Sequence, residues 1–227
     1  NWAFDHAAAL DAHVAEMLAT LLRGTNLLFI PTNSSWTSTL VGSGAAIQDT
    51  SRNGVNTGIT ASSSALLYAS LMGFGQEAGS YQYGTWNKKL YLIFNYCRFV
   101  SETQTVGRLQ LKETAAIGAL AAKGIGLRAD NLALTGESYG TQLGTVDLGV
   151  TLTSDRDKQI VIIHDPSVPK IEWYVNGVLK GTQSTVAKIP SGVSGDWLAL
   201  VSSIANGATG GTDAYAFLLH PKLWQAR

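Results

Sequence analysis

The chain has 227 residues, 24 of them glycine and one cysteine, with 16 basic side chains against 16 acidic ones. That length is enough for one large β domain or a small α/β domain with a sound core. The even charge balance excludes the basic footprint of a nucleic-acid or anionic-membrane binder. The lone Cys97 excludes an internal disulfide, and no apolar run approaches the ~18 residues of a membrane-spanning helix.

The first residue is Asn1 rather than Met, and the expectation is a trimmed chain or a fragment. The opening segment, "DHAAALDAHVAEMLATLLRG", is rich in Ala and Leu and stops at Gly24, so it is expected to form a short α-helix. Ala7, Leu10, Val14, Met17 and Leu21 recur at three- and four-residue spacing, a heptad seam. Leu18 and Leu22 widen the same face. So short a helix must pack on something. Two partners are open: the chain's own domain, or copies of the same helix through Leu10, Val14, Met17 and Leu21. Residues 1–24 are therefore expected to be an oligomerisation or attachment segment, and 25–227 a separate body.

After Gly24 the pattern turns to period two with β-branched and aromatic runs. "NLLFIP" reads as a strand. "STLVGSGAAIQDTSRNGVNTGITASSSALLYASLM" reads as short strands broken by turn signals, and "KKLYLIFNYCRFVSE" as a long apolar strand in which Cys97 is a small core residue. "VGRLQLKE", "KGIGLRADNLALTG", "TQLGTVDLGVTL" and "KQIVIIHD" follow as strands. "KETAAIGALAAKG" is the one internal run with helical character. In "KIEWYVNGVLKGT", Ile171, Trp173 and Val175 share one face, and Glu172 and Tyr174 the other. Asn176-Gly177 closes a two-residue hairpin between them. "DWLALVSSI" and "TDAYAFLLHPKLW" end the series. Roughly a dozen strands at short spacing predict an all-β fold, and the apolar side of the hairpin requires a second sheet to cover it.

Residues 124–182, and within them the "DPSVPKIEWYVNG" stretch with its Thr/Ser-rich return, resemble the concanavalin-A-like lectin/glucanase superfamily in the laminin-G-like style of phage fibres and spikes. "TGITASSSALLYASL" resembles the early strands of such domains, and "TDAYAFLLHPKLW" the closing strand. The resemblance extends over about 25–227. It implies an antiparallel jelly-roll β-sandwich behind the N-terminal helix. With that helix in front, it implies a homotrimeric virion surface protein: a fibre head, spike or decoration. Its partners would be other virion proteins and cell-surface glycans, and its place the virion surface or the extracellular space. The same sandwich also serves cellular carbohydrate-binding modules and purely structural lattice proteins.

Chemical motifs are sparse. "GESYG" fits the serine-elbow pattern, with Asp196 or Asp213 and His220 as triad partners in chain order. The β-branched, Gly-rich "TQLGTVDLGV" behind it does not continue as a helix, so Ser138 is expected in a turn at the sandwich edge. Glucanases of the resembled superfamily carry an E-x-D-x-x-E or E-x-D-x-E strand. Neither spacing occurs here, Glu137 and Glu172 stand isolated, and no catalytic residue is expected. His6 and His13 are two helical turns apart, too far to share an ion within one chain. Asp155 and Asp157 alternate as oxygen ligands do, without a further assignable ligand. His164 and His220 sit in apolar contexts as structural histidines. No metal and no cofactor are expected. Tyr81, Tyr83, Trp86 and Asn87 cluster in "GSYQYGTWNKK" and are the candidate glycan contacts, stacking aromatic faces on sugar C–H groups. Trp36 is a second candidate of the same kind.

Overall fold

The computed structural model describes residues 25–29, 36–48, 53–57, 60–72, 86–100, 105–152, 157–192, 197–207, 215–219 and 222–226. The expected N-terminal helix lies outside them, as do Leu10, Val14, Met17 and Leu21. No described helix is long and apolar enough to cross a membrane.

Sixteen strands run through the described residues. They are β1 (Thr25–Phe29), β2 (Trp36–Val41), β3 (Ala45–Gln48), β4 (Asn53–Asn56), β5 (Ser64–Met72), β6 (Leu90–Val100), β7 (Thr105–Lys112) and β8 (Gly124–Asp130). The second half is β9 (Ala133–Tyr139), β10 (Leu143–Thr151), β11 (Asp157–Asp165), β12 (Lys170–Val175), β13 (Val178–Gln183), β14 (Trp197–Asn206), β15 (Tyr215–Leu219) and β16 (Lys222–Ala226). They form two antiparallel sheets. One has seven strands in the order β10-β9-β8-β7-β14-β5-β2; the other has nine, with β13-β12-β11-β6-β15-β4-β3 as its main path. β15 and β16 take successive stretches of the same edge of β6, and β1 pairs with β16.

The sequence alternation explains which faces meet. On β12 Ile171, Trp173 and Val175 are buried while Lys170, Glu172 and Tyr174 are half-buried. The inward row of β6 (Leu90, Leu92, Phe94) joins Ile160 and Ile162 of β11 and Leu109, Leu111, Ile125 and Leu127 of the facing sheet in one core. Trp173 crosses that core. Its Nε1 donates to the Gly126 carbonyl at 3.0 Å, and its ring lies over Gly136, where an added Cβ would come within 2.6 Å of it. A large indole thus needs a glycine opposite, an interdigitation of large and small.

The hairpin closes as expected. Val175 pairs with Val178, and Asn176 and Gly177 have φ of 51° and 77°, the positive pair that a two-residue turn between twisted strands demands. Asn176 also accepts from Gln159 N through its side chain at 2.9 Å. β8 and β9 turn the same way through Asn131 and Leu132.

Two expectations need correction. "KETAAIGALAAKG" is not helical: after Lys112 it runs as bends to Lys123. Its Ala115 and Ile117 lie flat on Leu66, Ala199 and Val201 of the seven-stranded sheet. Packing onto that apolar patch outweighs its alanine propensity. "GESYG" is neither an elbow nor a turn. Its Ser138 lies within β9 between β8 and β10, buried and facing the core, and the chain turns only after Tyr139.

Candidate functional site

The outer face of the seven-stranded sheet carries a polar cluster on a period-two ladder. Arg108, Gln110 and Lys112 alternate on β7, and Thr135, Glu137 and Tyr139 alternate on β9. Between them β8 presents Gly124, Gly126 and Arg128. Register sets Gln110, Gly126, Glu137 and Thr145 side by side on adjacent strands. A Cβ on Gly126 would stand 2.8 Å from Gln110 Cγ; its absence lets Gln110 reach across the strand. Gln110 Nε2 donates to Glu137 Oε2 at 2.7 Å, and Arg108 Nε donates to the same carboxylate at 3.4 Å.

These groups are deeply set. Gln110 is fully buried, and Glu137 and Lys112 nearly so. A buried carboxylate is tolerated only with such partners. Lys112 Nζ donates to the Ala116 carbonyl at 2.6 Å. Burial, helped by the nearby Arg108 charge and opposed by Glu137, lowers its pKa to about 8. Beside the cluster Arg128 pairs with Asp130, and Asn131 Nδ2 donates to Asp130 at 3.0 Å. Gln110 Oε1 and Arg128 Nε are buried with no partner among the described residues. Thr135, Tyr139 and Arg128 are half-buried and Thr145 is exposed, so they form an accessible rim around the Glu137–Gln110 floor.

The chemistry available is hydrogen bonding. Each described carboxylate of this face already has a partner: Glu137 as above, Asp130 with Arg128, and Asp147 with Gly149 N at 2.9 Å. Ser138 points into the core on the opposite side. Its suggested partners Asp196, Asp213 and His220 lie outside the described residues. Glu172 is on the other sheet, paired with Lys170 at 2.9 Å and accepting from Tyr174 OH at 3.3 Å. Among the described residues no group of three His, Cys, Asp or Glu converges on a metal position.

Of the aromatic cluster read from the sequence, Trp86 turns inward rather than offering a face to a sugar. Its ring is fully buried, with Nε1 donating to Glu113 at 3.2 Å and its ring edge-on to His164 at 5.5 Å. An indole this apolar gains more from the core than from a turn surface. Trp36 is likewise buried. Asn87 is exposed and accepts from Gly192 N at 2.7 Å. Tyr81, Tyr83 and Asp155 lie outside the described residues. His164 is structural, its Nε2 at 2.7 Å from the Pro190 carbonyl. Sequence reading passed over the Glu137 cluster. The signal was present as Arg, Gln and Lys at alternate positions of "GRLQLKE", but the Gly126 gap that joins them to Glu137 spans three strands.

No protein-family model matches the sequence, and no curated protein does. Solved structures do match in shape. The Emp47p carbohydrate recognition domain superposes with a TM-score of 0.52 at 14% identity, over 85% of this chain and 88% of that one. A Bacillus licheniformis beta-glucanase gives 0.50 at 14% identity, over 90% and 98%. A carbohydrate esterase from Shiga toxin-encoding bacteriophage phi24B gives 0.51 at 12% identity, over 90% and 100%. The fold is the concanavalin-A-like sandwich. A concanavalin-A-like sandwich hosts lectins and hydrolases alike, so fold alone leaves the activity open.

Proposed function

We propose that this concanavalin-A-like domain is a non-catalytic carbohydrate-recognition domain carried on a virion surface. Its glycan site would be the outer face of the seven-stranded sheet. The observation that carries the reading is the Arg108–Glu137–Gln110 cluster. A buried carboxylate already held by a guanidinium and an amide is suited to bracing the side chains around it rather than to reaching a substrate. The rim of Thr135, Tyr139, Thr145 and Arg128 supplies hydroxyls and a guanidinium to meet sugar hydroxyls, and the buried floor holds that rim in place. The fold shared with the Emp47p carbohydrate recognition domain supports the recognition half of the proposal; the virion placement rests on the resemblance of the helix-then-sandwich order to viral fibre heads. Display of several copies on one particle would raise the avidity of a weak site.

The test is a glycan array probed with the purified full chain, followed by titration of the best glycan. Arg128→Ala is expected to weaken binding about tenfold, the loss of ~1.4 kcal/mol, with an unchanged melting temperature. Absence of any glycan binding at millimolar concentration would reject the site. Release of reducing sugar or of acetate from a bound glycan would replace the non-catalytic reading with a hydrolase. Immunolabelling of particles decides between a virion protein and a cellular lectin.

A further inference from the structure

β2 is an edge of the seven-stranded sheet. It pairs with β5 on one side, and among the described residues no strand takes the other. Half of the backbone N–H and C=O groups of such a strand point away from its sheet. Its side chains are open as well. Thr37 to Val41 are five consecutive exposed residues, with Leu40 at 47% and Val41 at 51%. Period two puts Leu40 on the same face as Trp36, and it stands opposite Ala65. Trp36 and Ala65 both belong to the main core. Leu40 therefore faces inward and still meets water, so the inner row runs out uncovered at β2. The other described edges carry features that discourage pairing with another chain. β1, β10 and β13 are bent by register shifts, at Leu27/Phe29, at Asp147/Val150 and opposite Trp173/Tyr174. β10 adds the Asp147 charge and β13 the exposed Lys180, and β3 has only four residues. β2 has six residues, "WTSTLV", in unbroken register with β5, without a charge, a proline or a glycine.

We propose that β2 is a self-association edge, at which a second copy of the chain pairs antiparallel about a two-fold axis. The strand's own pattern selects this occupant. An axis perpendicular to the sheet keeps outer faces with outer and inner with inner, so residues that meet must be an even number of positions apart. Centring the ladder on the five exposed residues puts the axis at Thr39. Thr37 of one copy then stands opposite Val41 of the other, Ser38 opposite Leu40, and Thr39 opposite Thr39. The inward-facing Leu40 of each copy is thereby covered. No charge meets another across the ladder, and with 16 basic and 16 acidic side chains no net repulsion holds two copies apart. A charged peptide finds no countercharge on this strand; an identical uncharged one fits it. A ladder of this length belongs with the small specific interfaces, below about 1,200 Å², so the dimer is reversible and concentration-dependent. The two seven-stranded sheets join into one whose outer faces look the same way. Nine strand spacings of ~4.8 Å then separate β8 from its counterpart, and the two Arg108–Glu137–Gln110 clusters lie about 43 Å apart on one side. Use of that pair as a bivalent site rests on the glycan reading; the pairing itself does not.

Sedimentation velocity of the purified full chain, from micromolar to near-millimolar concentration and without glycan, reads the pairing. A monomer–dimer equilibrium is expected. Thr39→Lys sets two ammonium groups against each other at the axis and is expected to weaken dimerisation about tenfold or more, with an unchanged Tm because Thr39 is exposed. A chain that stays monomeric throughout, one that forms trimers, or a dimer that Thr39→Lys leaves intact overturns the proposal. Thr39→Cys gives a second reading. Residues directly opposite in an antiparallel ladder have Cα atoms about 4.5–5.5 Å apart, within disulfide reach. Oxidised glutathione is expected to convert Thr39→Cys to a disulfide-linked dimer about tenfold faster than Thr182→Cys, an exposed control on β13. Equal rates overturn the proposal. If Thr39→Lys does not fold, the cysteine rates decide alone. With no glycan present, each result is independent of the glycan reading.

Discussion

Gln110 donates to Glu137 at 2.7 Å across an intervening strand, through the space that Gly126 leaves empty. The bond joins β7 to β9 without β8 contributing a side chain, and it fixes the floor of the proposed glycan site. Glu137→Ala would strand the Arg108 guanidinium and the Gln110 amide. Removing one partner of a buried ion pair costs about 3–5 kcal/mol, and equilibrium denaturant unfolding is expected to show a loss of that order. Glu137→Gln, which keeps the acceptor but not the charge, should lose less. A Glu137→Ala variant as stable as the parent would make the cluster incidental.

Gly136 faces the Trp173 ring, and a methyl group there would press on Cε2 at 2.6 Å. Gly136→Ala is expected to destabilise by about 1–3 kcal/mol through overpacking. Trp173→Leu in the same background should recover part of that loss, giving a measurable coupling between the two sites in a double-mutant cycle. Additive effects would mean that the two sheets do not interlock at this point.

His164 sets an acid limit on stability. Burial, opposed by the Pro190 carbonyl, the Asp165 charge and the Lys88 backbone, lowers its pKa from 6.5 to about 4. Above pH 6.5 the ring is neutral both folded and unfolded. As pH falls from 6.5 towards 4, only the unfolded chain takes up the proton, so stability drops across that window, by about 3 kcal/mol in total. His164→Gln is expected to flatten this part of the pH–stability curve. A parallel curve for the two proteins between pH 6.5 and 4 would rule the ring out.

Lys112 acts at the other end of the scale. Its folded pKa of about 8 lies below the ordinary 10.5. Between pH 8 and 10.5 the unfolded chain therefore holds a proton that the folded chain has released, and stability attributable to this group rises with pH, by about 3 kcal/mol overall. Lys112→Met should be more stable than the parent at pH 7 by about 1–3 kcal/mol. That advantage should shrink as pH climbs to 10.5. An advantage that stays constant with pH would show that the ammonium is not desolvated.

The β12–β13 hairpin could be read residue by residue because its information is local: alternating Ile171, Trp173 and Val175, then Asn176-Gly177 at positions needing positive φ. The requirement for a second sheet followed from the same period-two pattern, which gave roughly a dozen strands where the described residues hold sixteen. Local reading failed where a distant surface competed. The alanine-rich stretch after Lys112 looks helical by propensity, but it finds Leu66, Ala199 and Val201 to lie on and runs over them as bends. Trp86 looks like a surface aromatic beside polar turn residues, but it is drawn into the core against His164.

The sequence by itself determined the all-β class, the two-residue turns, the faces of β12 and the lack of a glucanase carboxylate spacing. All of these depend on neighbours within a few residues. Only the tertiary structure decided that Gln110, Arg108 and Glu137 share one bond network and that Ser138 faces the core. It alone set Trp173 against Gly136 and left Leu40 exposed at the edge of the seven-stranded sheet. Those outcomes depend on strand order and register between segments tens of residues apart. Register there is set by the packing of whole faces, which no short window of sequence contains.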